Sequence, residues 1–212
     1  MTELWLIRHG VTEWNRAHRV QGMLNIALDE EGHRQAEQLA AHFREVSPQA
    51  HASYTSDLDR AHDTARPGTA QLGLPLGIEP GLRERKYGVF EGLSFPELAE
   101  RFPEAADAVH HRRPDYDMMG GESLRQFQQR VVSTLTRIAA QHPDQRVLVF
   151  THSGVIDMAY RYAMGIPVEA ERRRSVPNAS INRLEIDGEH WRVLGWGDVS
   201  HLAGAPAEIH PA

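Results

Sequence analysis

The chain is expected to fold as an α/β protein, a three-layer αβα sandwich around a mostly parallel sheet. Three observations predict this. Strand and helix signals alternate along almost the whole length. Val147-Leu148-Val149-Phe150 is an unbroken apolar run, the pattern of a strand buried on both faces. Leu4-Trp5-Leu6-Ile7 repeats that pattern near the N-terminus.

The elements follow in order. Leu4 to Ile7 reads as the first strand. Asp29 caps a helix running to about Arg44, with Ala36, Leu39, Ala40 and Phe43 on one face. Ala52 to Thr55 is a short strand, followed by a helix from near Asp57 that Pro67 should disturb. Leu76 to Ile78 is a weak strand, and Ser94 to Arg101 a short helix ending before Pro103. Gly120-Gly121 marks a turn. Ser123 and Gln126 form a capping-box pattern that opens a long helix with Phe127, Val131, Leu135 and Ile138 inward. A helix from near Gly154 follows the strand at Val147. Residues 181–186 and 191–196 read as a hairpin turning at Asp187-Gly188. The Ala- and Pro-rich tail from Gly204 reads as loose. This leaves residues 1–203 as one domain, with an insert over about 90–121.

Composition narrows the function. The 212 residues suffice for one sizeable core, and 41% hydrophobic with 25% charged residues is ordinary for a globular protein. A net charge of −6 argues against a nucleic-acid partner. The absence of cysteine removes disulfides, thiolate catalysis and Cys-ligated zinc together. No basic flank with a long apolar run opens the sequence, and no segment approaches a membrane span. A cytoplasmic location with no membrane partner is the expectation.

In α/β sheets ligands bind beyond the carboxyl ends of the strands. Three segments fall there: Arg8-His9-Gly10, Ser56-Asp57-Leu58-Asp59-Arg60 and Thr151-His152-Ser153-Gly154. If their strands are parallel neighbours, two imidazoles and two guanidiniums converge. Arg8 and Arg60 would supply planar, permanently charged forks for a phosphate dianion. His9 would attack phosphorus through an unprotonated ring nitrogen while the other is held by a hydrogen bond. His152 would stabilise the charge of an in-line transfer, and backbone N–H groups at the helix start near Gly154 would add donors. An alkoxide leaving group needs a proton, and Glu84 in Leu82-Arg83-Glu84-Arg85-Lys86-Tyr87-Gly88 is the candidate donor. The negative charge of a bound phosphate favours a protonated carboxyl beside it.

Arg8-His9-Gly10-Val11-Thr12-Glu13-Trp14-Asn15 resembles the signature of the histidine phosphatase superfamily, in its phosphoglycerate mutase-like branch. Gln21-Gly22, Ser56 to Ala61, Leu82-Arg83-Glu84 and Thr151 to Gly154 resemble its later blocks in the same order, so the likeness spans residues 4–200. The resemblance implies a phosphoglycerate mutase-like fold and a phosphohistidine intermediate on His9. It implies a pocket of Arg8, Arg60 and His152, Glu84 as proton donor, and Asn15 and Gln21 near the substrate. Gly22, Ser153 and Gly154 join the candidate substrate-binding set. No metal and no cofactor are implied. The partner expected is a small-molecule phosphate ester; monomer and homodimer stay equally open.

The leading expectation is therefore a metal-independent phosphomonoesterase of the histidine acid phosphatase type. A phosphoglycerate mutase is the alternative. In the mutases that use bisphosphoglycerate, the block resembling Glu84 to Gly88 is followed by a lysine, where Phe95 stands here, and Phe95 offers no charge to a second phosphate. A non-catalytic phospho-ligand-binding module is the reading from another class.

Each residue also has a plainer role. Arg60 could pair with Asp57, Asp59 or Asp63, and Glu84 with Arg83, Arg85 or Lys86. Asn15 could cap a helix or a turn, Gln21 could be a loop residue, and Glu122 could favour the start of the next helix. For His110-His111-Arg112-Arg113 a solvated face is preferred over contact with an anionic substrate tail. Specificity is expected from residues 90–121, which hold Phe95, Phe102, His110, His111, Tyr116, Met118 and Met119.

Overall fold

The computed structural model describes residues 1–202. Strand β1 (Thr2–Arg8) leads into a one-turn helix α1 (Glu13–Arg16) and the long helix α2 (Glu30–Val46). Next come β2 (Ala52–Thr55), α3 (Asp59–Gln71) and β3 (Leu76–Ile78). Two short helices, α4 (Phe95–Arg101) and α5 (Pro103–His110), precede the second long helix α6 (Leu124–Gln141). The chain closes with β4 (Arg146–Thr151), α7 (Ser153–Ala163) and the hairpin β5 (Ile181–Asp187) and β6 (His190–Asp198). The loose tail expected from Gly204 lies outside the described residues.

The strands form one sheet in the order β3-β2-β4-β1-β5-β6. The first four are mutually parallel, and the β5–β6 hairpin adds antiparallel to β1. The sheet is thus mixed, with its four parallel strands carrying the strand ends of interest. Side-chain alternation sorts the core into two layers. Leu4, Leu6, Val147 and Val149 pack against Phe127, Val131 and Leu135 of α6 and Val155 and Ile156 of α7. Trp5, Ile7, Leu148 and Phe150 face Leu39 and Phe43 of α2 and Ala65 of α3.

Local chemistry explains most element ends. Asp29 caps α2 by accepting from the Gly32 N–H at 2.8 Å, and Ser123 and Gln126 close the capping box of α6. Helix α3 runs through Pro67 instead of breaking there. Gly68 lets it approach α2 so closely that a Cβ would stand 2.9 Å from the Phe43 ring, and this packing outweighs one missing backbone bond. Helix α4 ends before Pro103 as expected, with Phe102 held out of helical geometry by the proline that follows, and the same proline opens α5, where its missing N–H costs little.

Candidate active site

Strands β1 and β4 are parallel neighbours with Arg8 opposite Thr151, so His9 and His152 leave the sheet side by side. Their ring centroids are 5.3 Å apart, and the His9 N–H donates to the Thr151 carbonyl at 2.9 Å. Both rings are buried. Nδ1 of His9 lies 2.7 Å from the Gly10 carbonyl. A carbonyl only accepts, so Nδ1 carries the hydrogen and Nε2 keeps its lone pair. Burial, followed by the charges of Arg60 and Arg8, pushes the His9 imidazole well below its ordinary pKa. Burial, then Arg60, His9 and Arg8, do the same to His152, whose two ring nitrogens have no partner among the described residues.

The guanidiniums converge on these rings. Arg60, in the first turn of α3, is fully buried and donates to the carbonyls of Gly22 and Leu24, both at 2.8 Å. Arg8 donates to the Val176 carbonyl at 2.5 Å. The Nε of each is buried without a partner among the described residues. Neither is ion-paired there: Asp57 holds Arg83, while Asp63 lies beside His62 and Arg66. Burial lowers both to about 10, and the charge of Arg172 also acts on Arg8. Each buried polar atom left without a partner costs about 1–3 kcal/mol, so an anion supplying acceptors here is favoured.

Around this centre the remaining candidates divide. Gln21 is buried, and its Oε1 also lacks a partner among the described residues. Gly22 has φ of +52°, supplies its carbonyl to Arg60, and could not carry a Cβ without meeting the Glu91 carboxylate at 2.2 Å. Asn15 does cap a helix: it closes the capping box of α1, its Oδ1 accepting from the N–H and hydroxyl of Thr12, both at 3.0 Å. Asn178 also donates to Asn15 at 3.3 Å, and to the carbonyls of His9 and Gly10 at 3.0 and 3.2 Å. Asn178 escaped the sequence reading because no motif marks it; its only signal is its place just before a strand that borders β1.

Glu84 makes no ion pair among the described residues. Arg83 pairs with Asp57, and Arg85 donates to the Glu122 carbonyl at 2.8 Å. The Glu84 carboxylate instead accepts from the Arg85 N–H at 2.8 Å and the Gly154 N–H at 3.0 Å. Of the backbone donors expected near this helix start, the Gly154 N–H is bound to Glu84. A Cβ on Gly154 would stand 2.1 Å from Glu84 Oε1. Ser153 opens α7 half-buried, with no side-chain hydrogen bond among the described residues.

Beyond Gly154 opens a cavity of about 90 Å³, lined in part by Arg85, Tyr87, Val109, Arg112 and Arg172. Asp157 borders it, bonded to Arg161 at 2.9 Å and lying 3.5 Å from Arg112 and 3.6 Å from Arg172. One carboxylate thus faces three guanidiniums. The solvated reading holds for His110, His111 and Arg113, which are exposed, but fails for Arg112. Arg112 turns inward and donates to the Val168 carbonyl at 2.9 Å. Within residues 90–121, Phe102, Tyr116 and Met118 pack into a small core of that segment, whereas Phe95 and Met119 are exposed. A wider groove of about 830 Å³ between α2 and α3 holds mixed charges and none of the converging residues. Among the described residues no three His, Asp or Glu side chains group as metal ligands.

Two neutral imidazoles beside two guanidiniums, at the carboxyl end of the sheet's parallel strands, form a site suited to phosphoryl transfer. Residues 4–199 match the model of the histidine phosphatase superfamily (branch 1). A metal-independent phosphoserine phosphatase of Arabidopsis thaliana is 38% identical over 206 residues, covering 96% of this chain and 84% of that protein. A phosphoglycerate mutase-like protein 4 of the same plant is 37% identical, covering 94% and 86%. The solved structure of Bacillus stearothermophilus YhfR superposes with a TM-score of 0.88 at 30% identity, covering 95% of this chain and 99% of that one. The chain belongs to the histidine phosphatase superfamily.

Proposed function

We propose that the protein is a metal-independent phosphomonoesterase working through a phosphohistidine on His9. One observation carries the reading: the Nδ1–H bond to Gly10 and the lowered pKa leave Nε2 of His9 as a neutral nucleophile among Arg8, Arg60 and His152. These three, with Gln21 and the edge of Asn15, hold the phosphoryl oxygens. Nε2 attacks phosphorus, the P–O ester bond breaks, and Glu84 gives its proton to the departing alkoxide. Glu84 then takes a proton from water as the water oxygen attacks the phosphohistidine, releasing inorganic phosphate and restoring His9.

The leaving alcohol occupies the side of Gly154 that opens towards Arg85, Arg112 and Arg172. Their excess positive charge favours an alcohol that carries its own anionic group, such as a carboxylate. The relative that acts on phosphoserine agrees with this preference. Phe95 is exposed at the start of α4 and supplies no charge for a second phosphate, which favours water over a mutase cycle.

The test is a panel of phosphate esters assayed with and without EDTA. Carboxylate-bearing esters should exceed glycerol phosphate by about 10- to 100-fold in kcat/KM, the value of one or two charge-assisted bonds. EDTA should leave every rate unchanged. Loss of activity with EDTA would remove the metal-free mechanism. Absence of turnover on all esters would favour a binding module, and phosphoglycerate interconversion without phosphate release would favour the mutase. Gly154→Ala should lower kcat/KM on alkyl esters by about 100-fold, because its methyl group displaces the Glu84 carboxylate; retained activity would place the acid elsewhere.

A further inference from the structure

Arg130, on α6, belongs to none of the motifs above, yet its guanidinium uses all five of its N–H donors. Nε and NH2 grip the two oxygens of Glu122, both at 2.7 Å. NH1 donates to the carbonyls of Gly81 at 2.8 Å and Arg83 at 2.9 Å, and NH2 to that of Glu84 at 3.1 Å. Glu122 returns to the same segment: it accepts the Lys86 N–H at 2.9 Å on its side chain and donates its own N–H to the Lys86 carbonyl at 2.8 Å. Thr151 adds a bond to the Leu82 carbonyl at 2.8 Å. Burial would raise the Glu122 carboxyl, but the Arg130 bond and the Lys86 N–H hold it below its ordinary value.

The backbone on either side of Glu84 is therefore clasped by Arg130 of α6 and by Glu122 just before it, at Gly81, Arg83, Glu84 and Lys86. We propose that Arg130 and Glu122 are positioning residues for the proton-donating step: they fix the Glu84 backbone so that its carboxyl reaches the leaving oxygen. This rests on reading Glu84 as the acid. It assigns Glu122 more than a favourable charge at a helix start. Neither residue hydrogen-bonds to Arg8, His9 or Arg60, so the larger effect should fall on proton donation, with only a small loss common to both esters from the Arg130 charge that bears on His152.

The experiment compares kcat/KM, which reports the steps through phosphoenzyme formation, for an alkyl phosphate and p-nitrophenyl phosphate. Arg130→Gln and Glu122→Gln are each assayed alone and combined with Glu84→Gln. Arg130→Gln should cost about 100-fold on the alkyl ester, the penalty of a misplaced catalytic group, and about threefold or less on the nitrophenyl ester. In the Glu84→Gln background neither substitution should cost the alkyl ester more than about twofold, since pairs acting as a unit are non-additive. Arg130→Lys keeps the charge without the fork and should remain impaired. Equal losses on both esters, additive losses with Glu84→Gln, or recovery in Arg130→Lys would each overturn the proposal. If Arg130→Gln does not fold, Glu122→Gln opens the clasp from the other side and must show the same split. Failure of the acid assignment itself reads differently: Glu84→Gln alone would then reduce both esters equally.

Discussion

His9→Ala is expected to abolish turnover, by about 10⁴-fold or more, because the variant has no nucleophile to form the intermediate. The decisive measurement is covalent labelling. Wild-type protein exposed briefly to a phosphorylated substrate and quenched in base should retain phosphate on the chain. Acid should remove it, as expected of a P–N bond. His9→Ala should show no label under either condition. His152→Ala, which loses a donor to the phosphoryl oxygens but keeps Nε2 of His9, should still label, more slowly. A label retained in His9→Ala would move the nucleophile to another residue and dissolve the proposed mechanism. Binding of inorganic phosphate serves as the control, because Arg8 and Arg60 are untouched. Arg60 in particular is anchored through the carbonyls of Gly22 and Leu24, independently of the His9 ring.

Glu84→Gln should divide substrates by the basicity of their leaving groups. An alkoxide leaves only if it is protonated, so kcat/KM on alkyl phosphates should fall by about 10²–10⁴-fold. Nitrophenolate is stable as an anion, and kcat/KM for its ester should change little. The substitution keeps the side-chain shape, but one of the two N–H groups now bonded to the carboxylate, from Arg85 and Gly154, would face an NH2 group. Some loss common to both substrates should therefore accompany the selective one. A loss of equal size on both would remove Glu84 from the acid role.

Much of the fold was legible because its elements carry strong local signals. The apolar runs at Leu4 and Val147 marked strands with both faces covered, and Asp29 and Ser123 marked helix starts through caps that form as expected. What the sequence hid depends on tertiary context. A four-residue helix such as α1 is too short to show a period, and Pro103 reads equally as a stop or a start until the next turn is seen. Pro67 looked disruptive because local rules do not know that Gly68 nests against Phe43.

At the site, Arg8, His9 and His152 were legible at strand ends and Arg60 in the segment that follows β2, and the parallel pairing of β4 with β1 and with β2 brings them together. The direction of a hydrogen bond was not legible. Only the folded chain shows that the Gly154 N–H turns to Glu84, that Arg112 points inward while its neighbours do not, and that Asn178 ties the backbone of His9 and Gly10 to Asn15. These contacts join segments far apart in sequence, and no local pattern encodes them.

The central place of β1 has a consequence for how the molecule is made. The strand that leads into His9 pairs with residues 146–151 on one side and 181–186 on the other, both more than a hundred residues further along the chain. A nascent chain holding only the first half of the sequence has neither neighbour for it. Closing such long loops is slow, and an apolar strand waiting for both partners is exposed to misassembly in the meantime. His9 therefore takes its place only once β4 and β5 have been made, and activity should appear in one step when they pair with β1. Fragments cut anywhere before β4 should hold no trace of it.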